Sequence, residues 1–143
     1  MKTWIFRTLA GLGIAAVAAQ AIPYGRDHDN PSVVSEPAWS SPEVRALAVR
    51  ACFDCHSNQT TWPWYSHVAP ASWLVQSDVI EGRSKLNFSD WNRPQKGAHK
   101  AAKEVTSGDM PPAAYVPLHP AARLSAAERD RLAQGLSVML SRK

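Results

Sequence analysis

The only two cysteines of the chain are Cys52 and Cys55, and a histidine follows them directly in the run Cys52-Phe53-Asp54-Cys55-His56. On one turn of helix, two thiols at this spacing can add to the two vinyl groups of a single porphyrin while the adjoining imidazole reaches the iron. This is the attachment pattern of a c-type haem, with Cys52 and Cys55 as the covalent links and His56 as the proximal ligand. The pattern constrains the fold as well as the chemistry, because a domain carrying it has to close around the porphyrin. Two other readings of the pentapeptide fit less well. A redox dithiol usually follows a strand in a βαβ pattern, whereas Ser40 to Ala51 reads as helix. A tetrahedral zinc site needs two further Cys or His ligands at matching spacing, and His28, His67, His99 and His119 are scattered singly.

The N-terminus reads as an export signal. Lys2 and Arg7 make a positive start, and no charged residue occurs from Thr8 to Gly25, where Leu9, Leu12, Ile14, Val17 and several alanines form an apolar run. Ala19-Gln20-Ala21 fits the small-x-small pattern of a cleavage site, which makes residues 1–22 a removable signal peptide. The run also lies at the lower edge of what spans a bilayer, so an uncleaved membrane anchor with Lys2 and Arg7 on the cytoplasmic side fits equally. Both readings place the rest of the chain in the periplasm, either membrane-anchored or secreted after cleavage near Ala21. Covalent haem attachment in bacteria takes place on that side of the cytoplasmic membrane.

Beyond this segment roughly 120 residues remain, enough for one domain with a modest core to which a porphyrin would contribute. The formal net charge of +4 includes Lys2 and Arg7, and the other charges are spread without a basic stripe, so no nucleic-acid partner is expected. Residues 23–39, with Pro23, Pro31 and Pro37, read as an extended tether, and residues 40–143 as the c-type haem-binding domain. The expected fold class is all-α. A first helix is announced by Ser40-Ser41-Pro42-Glu43, a capping-box spacing, and Val44, Leu47, Ala48 and Ala51 form its apolar stripe. A second runs from near Pro70 to near Gly82 with Trp73, Val79 and Ile80 as core candidates. A third spans about Gln95 to Thr106 and ends at Gly108. A fourth starts at Ser125, with Glu128 completing a capping box and Leu132, Leu136, Met139 and Leu140 facing inward. No segment alternates like a strand.

The sixth iron position has several candidates. Met110 lies in Gly108-Asp109-Met110-Pro111-Pro112, a stiff, non-helical loop before the last helix, which suits presentation of a weak thioether ligand. Met139 is on the inward stripe of the last helix and is more simply core. His67, in an aromatic loop after the motif, is the alternative ligand and would give a bis-histidine site of lower potential. His119-Pro120 reads as a helix-initiating turn. The order of motif helix, Met-Pro loop and C-terminal helix resembles class I cytochromes c in arrangement and roles, not in overall sequence.

A more extensive resemblance runs through Ser57-Asn58-Gln59-Thr60-Thr61-Trp62-Pro63-Trp64-Tyr65-Ser66, Ala69-Pro70-Ala71-Ser72-Trp73-Leu74-Val75, Glu81-Gly82-Arg83 and Leu86-Asn87-Phe88-Ser89-Asp90-Trp91. Together with Ile22 to Arg26, the Cys-x-x-Cys-His, Met110-Pro111-Pro112 and Leu118-His119-Pro120, this pattern resembles the haem-binding domain family from about Ile22 to the last helix, with no departure at the motif positions. The resemblance implies one covalent haem c and leaves the physiological role open. Of the six tryptophans, Trp62, Trp64, Trp73 and Trp91 lie in the matched region. Bulky rings suit a porphyrin edge, and Trp62, Trp64 or Arg83 could hydrogen-bond a propionate; an exposed docking patch is the other use for the aromatics.

With His56 and Met110 both on the iron, no position is open to substrate. The expectation is then an electron carrier with no catalytic residue, exchanging single electrons with a redox partner that the sequence does not identify. The competing readings are a haem enzyme or gas sensor with an open sixth position, for which His67 and Arg83 are the conceivable distal groups, and a haem module that docks on a larger oxidoreductase.

Overall fold

The computed structural model describes residues 2–141, and among these the regular structure is helical. In chain order the helices are α1 (Lys2–Ala19), α2 (Pro42–Ala51), α3 (Phe53–His56), α4 (Ala71–Lys85), α5 (Ala98–Ser107) and α6 (Ala126–Ser141), with 3-10 turns at Trp64–His67 and Pro120–Ala122. No strand occurs among the described residues, and an isolated parallel bridge joins Ser35 to Asp90. The fold class is therefore all-α, as the helical patterns predict. The chain divides into two units, Met1–His28 with Trp62–Asp78 and Asp29–Thr61 with Val79–Lys143, so α4 gives its first half to one and its second half to the other.

The core of the second unit forms where the predicted apolar stripes meet. Val44, Leu47, Ala48 and Ala51 of α2 are all buried, and so are Leu132, Ala133, Gly135, Leu136 and Met139 of α6, while Leu140 is half-buried at the edge. Phe53, Leu86, Phe88, Val105 and Leu124 join the same cluster. The two helices approach closely because Gly135 has no side chain. A Cβ there would lie 2.6 Å from both terminal methyls of Val44 and 2.8 Å from Ser40 Oγ.

The helix ends follow from local chemistry, with two departures from the sequence patterns. The cap of α2 is Ser41, whose Oγ accepts the Val44 N–H at 3.2 Å with Pro42 in the first turn. The expected Ser40–Glu43 capping box does not form: the cap lies one residue later, at Ser41, and the Glu43 carboxylate pairs with Arg131 of α6 instead. At α6 the box is complete, with the Ser125 N–H on Glu128 at 2.8 Å and the Glu128 N–H on Ser125 Oγ at 3.3 Å. Helix α5 ends on Gly108 at φ +84°, where the left-handed cap favours glycine. It starts at Ala98 rather than near Gln95 because the Gln95 side chain is occupied in the preceding loop, accepting from Asn87 N–H and donating to Asp90 O, both at 2.8 Å.

Helix α4 continues to Lys85, past the expected end near Gly82. Gly82 lies inside the helix and shares its buried side with Val79, and Leu86 is buried just past the helix end. Ile80, taken as core from the pattern, is instead 52% exposed, and Trp73 is half-buried. Residues 29–39 are extended but not loose: Val34 and Ser35 N–H both donate to Ser89 O, at 2.8 and 3.2 Å, and Trp91 N–H donates to Ser35 O at 3.0 Å. In the first unit, every side chain from Thr3 to Ala18 of α1 is exposed, and Gly25, at φ +81°, packs where a Cβ would lie 2.3 Å from Ser72 O. Among the described residues no helix is long and apolar enough to cross a membrane.

Two outcomes are expected of the fold. Gly135→Ala must displace Val44, and by analogy with overpacked cores it lowers stability by about 1–3 kcal/mol, read from the denaturant midpoint at constant m-value. The second concerns acid. The Glu128 carboxyl is drawn down from its ordinary 4.5 to about 2, first by the Ser125 backbone N–H and then by Arg50. Glu36 is also lowered, chiefly by its hydrogen bonds from Arg45. A carboxyl whose folded pKa lies below its unfolded value stabilises fully above the unfolded value, and that stabilisation is lost as pH falls through the folded one. Unfolding midpoints should therefore drop between pH 4.5 and about 2, and Glu128→Gln, which keeps an acceptor oxygen, should make the drop shallower.

Candidate functional site

Helix α2 stops at Ala51 and the backbone re-enters helix at Phe53, which leaves Cys52 at the joint. The Cys55 and His56 N–H groups both donate to Cys52 O, at 3.2 and 2.9 Å, so both thiols and the imidazole stand on a single turn. All three residues are half-buried, while Phe53 between them is 3% exposed and stacks on Phe88 at 5.6 Å between centroids. With Phe53 anchored in the core, the cysteines are held at its margin. They are not joined by a disulfide. The Cys52 thiol is pushed up to about 12, first by burial and then by neighbouring Cys55. It is thus a protonated thiol at neutral pH, whereas dithiol exchange calls for a lowered pKa and a thiolate.

The orientation of His56 is fixed by α4. Its Nδ1 lies 3.1 Å from Gly82 O and 3.0 Å from Leu86 O. A carbonyl oxygen only accepts, so Nδ1 bears the proton and the Nε2 lone pair is left for a metal. Burial lowers the pKa of the ring, against the raising effect of the two carbonyls, and keeps the imidazole neutral. The carbonyls can come this close because position 82 is glycine: a Cβ there would lie 2.3 Å from Cys55 O and 2.9 Å from the Cys55 carbonyl carbon. Beyond Leu86 the chain stays with the motif, as Phe88 N–H donates to His56 O at 2.8 Å. Beneath it a buried polar network links Asn87 Nδ2 to Asn58 Oδ1 at 2.8 Å and Asn58 N–H to Ser89 Oγ at 2.9 Å.

Asp54 ties the motif turn to the loop after α5. Its Oδ2 accepts from Tyr115 Oη at 2.5 Å and its Oδ1 accepts from Thr61 N–H at 2.9 Å. The Tyr115 ring is stacked on His119 at 3.8 Å, nearly parallel, and His119 Nδ1 is 3.0 Å from Tyr115 O. Met110 opens this loop. Its N–H donates to Glu104 O at 3.0 Å, and its side chain is half-buried against the apolar cluster that contains Phe53, Leu86 and Val105 and on which Cys52 also packs.

The other sequence candidates fall elsewhere. His67 is exposed at the end of its 3-10 turn, edge-on to the His28 ring at 4.4 Å. Arg83 is a structural residue: Nε donates to Ser57 O at 2.8 Å, Nη1 to Asp29 O at 2.9 Å, and Nη2 to Asn30 Oδ1 and Thr60 Oγ1 at 2.8 and 2.9 Å. Trp64 is 79% exposed, while the indole N–H groups of Trp62 and Trp73 are buried without an acceptor. Gly82, Asp54 and Tyr115 did not emerge from the sequence as functional. A glycine interrupting a helical pattern was the available signal for the first; the Asp54–Tyr115 pairing leaves no local signal.

The donor set suits the group that the motif implies. Two thiols on one turn, a neutral imidazole with its second nitrogen engaged, and a thioether on the shared core are ligands that haem iron and its vinyl groups accept. Gly82→Ala should be the most damaging small substitution at this site, since the added methyl meets backbone and not a movable side-chain tip. It is expected to lower the melting temperature more than Gly135→Ala and to reduce the yield of haem-stained protein on a denaturing gel.

Comparison with curated proteins and with solved structures gives no match for this chain. A family model described as the haem-binding domain matches residues 14–137, which include α2 to α5, the motif turn, the Met110 loop and most of α6. By that match and by the site it encloses, the chain belongs to the haem-binding domain family.

Proposed function

We propose that this haem-binding protein is a periplasmic c-type cytochrome that transfers single electrons, with one haem bound through Cys52 and Cys55 and ligated by His56 and Met110. The observation that carries the reading is the pinning of His56 Nδ1 by two carbonyls, which dictates the tautomer and leaves the Nε2 lone pair for a metal. When bound, the haem supplies a one-electron iron couple; the residues set its ligands and surroundings. His56, kept neutral by burial, would hold the iron through Nε2. Met110 supplies a thioether, which raises the potential relative to a second imidazole. The buried side chains of Phe53, Phe88 and Leu86 would keep water from the His56 side of the group, and the Asp54–Tyr115 bond holds the Met110 loop to the motif turn. The reading as a peroxidase-like enzyme loses its cation, because every guanidinium nitrogen of Arg83 is already engaged. Its redox partner is a protein of unspecified identity in the same compartment.

The test is the absorption spectrum of the protein matured in a bacterial periplasm. A weak ferric band near ~695 nm, lost in Met110→Ala together with the appearance of rapid carbon monoxide binding to the ferrous form, is the expected result. A low-spin spectrum without the band, restored to high spin by His67→Ala, would replace Met110 by His67; a high-spin parent spectrum would favour an enzyme or sensor. Cys52→Ala with Cys55→Ala is expected to lose haem staining on a denaturing gel. Tyr115→Phe should keep the band at room temperature but lose it on heating at a lower temperature than the parent, since one hydrogen bond of about 1–3 kcal/mol to a charged acceptor is removed from the loop.

A further inference from the structure

Gln20 lies inside the Ala19-Gln20-Ala21 pattern that marks a cleavage site, yet within the first unit it is a structural residue. Its Nε2 donates to Ala69 O at 2.9 Å and its Oε1 accepts from Ala69 N–H at 3.1 Å, so one amide side chain satisfies both backbone groups of a buried residue. The Gln20 backbone oxygen accepts from Arg26 Nη2 at 2.7 Å, and Oε1 lies 3.2 Å from the same nitrogen. A cut after Ala21 would remove every one of these acceptors and donors at once and leave the Ala69 groups without partners, a costly state for buried backbone.

The helix on the other side of Gln20 also needs a surrounding. From Thr3 to Ala18 all its side chains are exposed, including Trp4, Phe6, Leu12, Ile14 and Val17. A helix that is apolar on all sides is stable in an apolar medium, not in water. Its one described charged side chain, Arg7, lies in the N-terminal half, where it suits lipid phosphates. With 18 residues α1 extends roughly 27 Å, short of the ~30 Å hydrocarbon layer, in keeping with the finding that no described helix suffices alone to cross it. The apolar surface does not stop at Ala19. In the same unit Ile22, Tyr24, Trp64 and Val68 are 47%, 48%, 79% and 45% exposed, and Val68 adjoins the Ala69 that Gln20 clamps. Tyr and Trp are the side chains that favour the boundary between lipid and water.

We infer that α1 is retained in the mature protein and seated in a phospholipid bilayer, with Gln20 as its joint to residues 68–70 and with Ile22, Tyr24, Trp64 and Val68 as a collar on the lipid surface. This holds whichever residue ligates the iron. The test uses the full chain matured in a bacterial host and isolated with the membranes. Its intact mass should include residues 3–21, and the protein should stay in the pellet on extraction with alkaline carbonate. Trp64→Ser with Val68→Ser should raise the carbonate-extracted share several-fold while leaving the visible spectrum of the bound haem unchanged; Ile22→Ser with Tyr24→Ser provides a second variant of the collar. A mass that ends N-terminally near Ile22, or release of the parent protein by carbonate, would overturn retention. Collar variants that keep their spectrum and extract no more than the parent would overturn the lipid contact at those residues.

Discussion

The second unit is organised around a ring nitrogen and two backbone oxygens. His56 Nδ1 sits within hydrogen-bonding distance of Gly82 O and Leu86 O, and that contact requires the end of α4 to run against the motif turn at a separation no side chain at position 82 would permit. Once α4 is in place the chain leaving it is committed too: Phe88 N–H returns to His56 O, the Phe88 ring packs on Phe53, and Asn87 and Ser89 close the polar network beneath Asn58. Residues 34 and 35 then find Ser89 O as an acceptor, so a segment that is extended in sequence terms is drawn onto the domain. One imidazole orientation thus accounts for the course of several segments distant in sequence.

A second set of contacts holds Met110 and its loop. Met110 packs on the shared core, its loop is joined to the motif by the Tyr115–Asp54 bond, and α6 beyond it lies on α2 with Gly135 against Val44. Both routes lead back to the residues that flank or interrupt the Cys-x-x-Cys-His run. For residues that would hold a haem this is useful in a specific way. Ligands whose supports are locked by packing and by further hydrogen bonds keep their geometry when the charge on the metal changes, because relaxation of one would require several neighbours to move.

Much of this was legible in the sequence, and what was not has a common physical origin. The stripes of α2 and α6 and the caps at Gly108 and Ser125 depend on neighbours within a few residues, and the patterns gave them correctly. The end of α4, the exposure of Ile80, the start of α5 and the pairing of Glu43 depend on partners remote in sequence. Gly82 has the local signature of a helix terminator, and only its contact with Cys55 reveals it as a point of close approach. Arg83 offered itself as a charge for a cofactor, but four acceptors from residues 29 to 60 occupy it. The Cys-x-x-Cys-His run was recognisable because it is a fixed local spacing; the Asp54–Tyr115 pairing was not, because a hydrogen bond between distant segments imposes none.

The two positions between the cysteines, which the Cys-x-x-Cys-His pattern leaves unspecified, are used by this chain for folding. Phe53 points into the core at 3% exposure and Asp54 reaches outward to Tyr115 and Thr61. On one helical turn these directions leave the remaining sides to Cys52, Cys55 and His56, so the burial of a single ring and the pairing of a single carboxylate together determine how the thiols are presented. The raised pKa of Cys52 follows from the same placement, since a sulfur held at the margin of an apolar cluster resists ionisation. A half-buried, protonated thiol beside a neutral imidazole is poorly suited to disulfide exchange. The local electrostatics therefore count against dithiol exchange, and they arise through residues that the Cys-x-x-Cys-His pattern itself does not name.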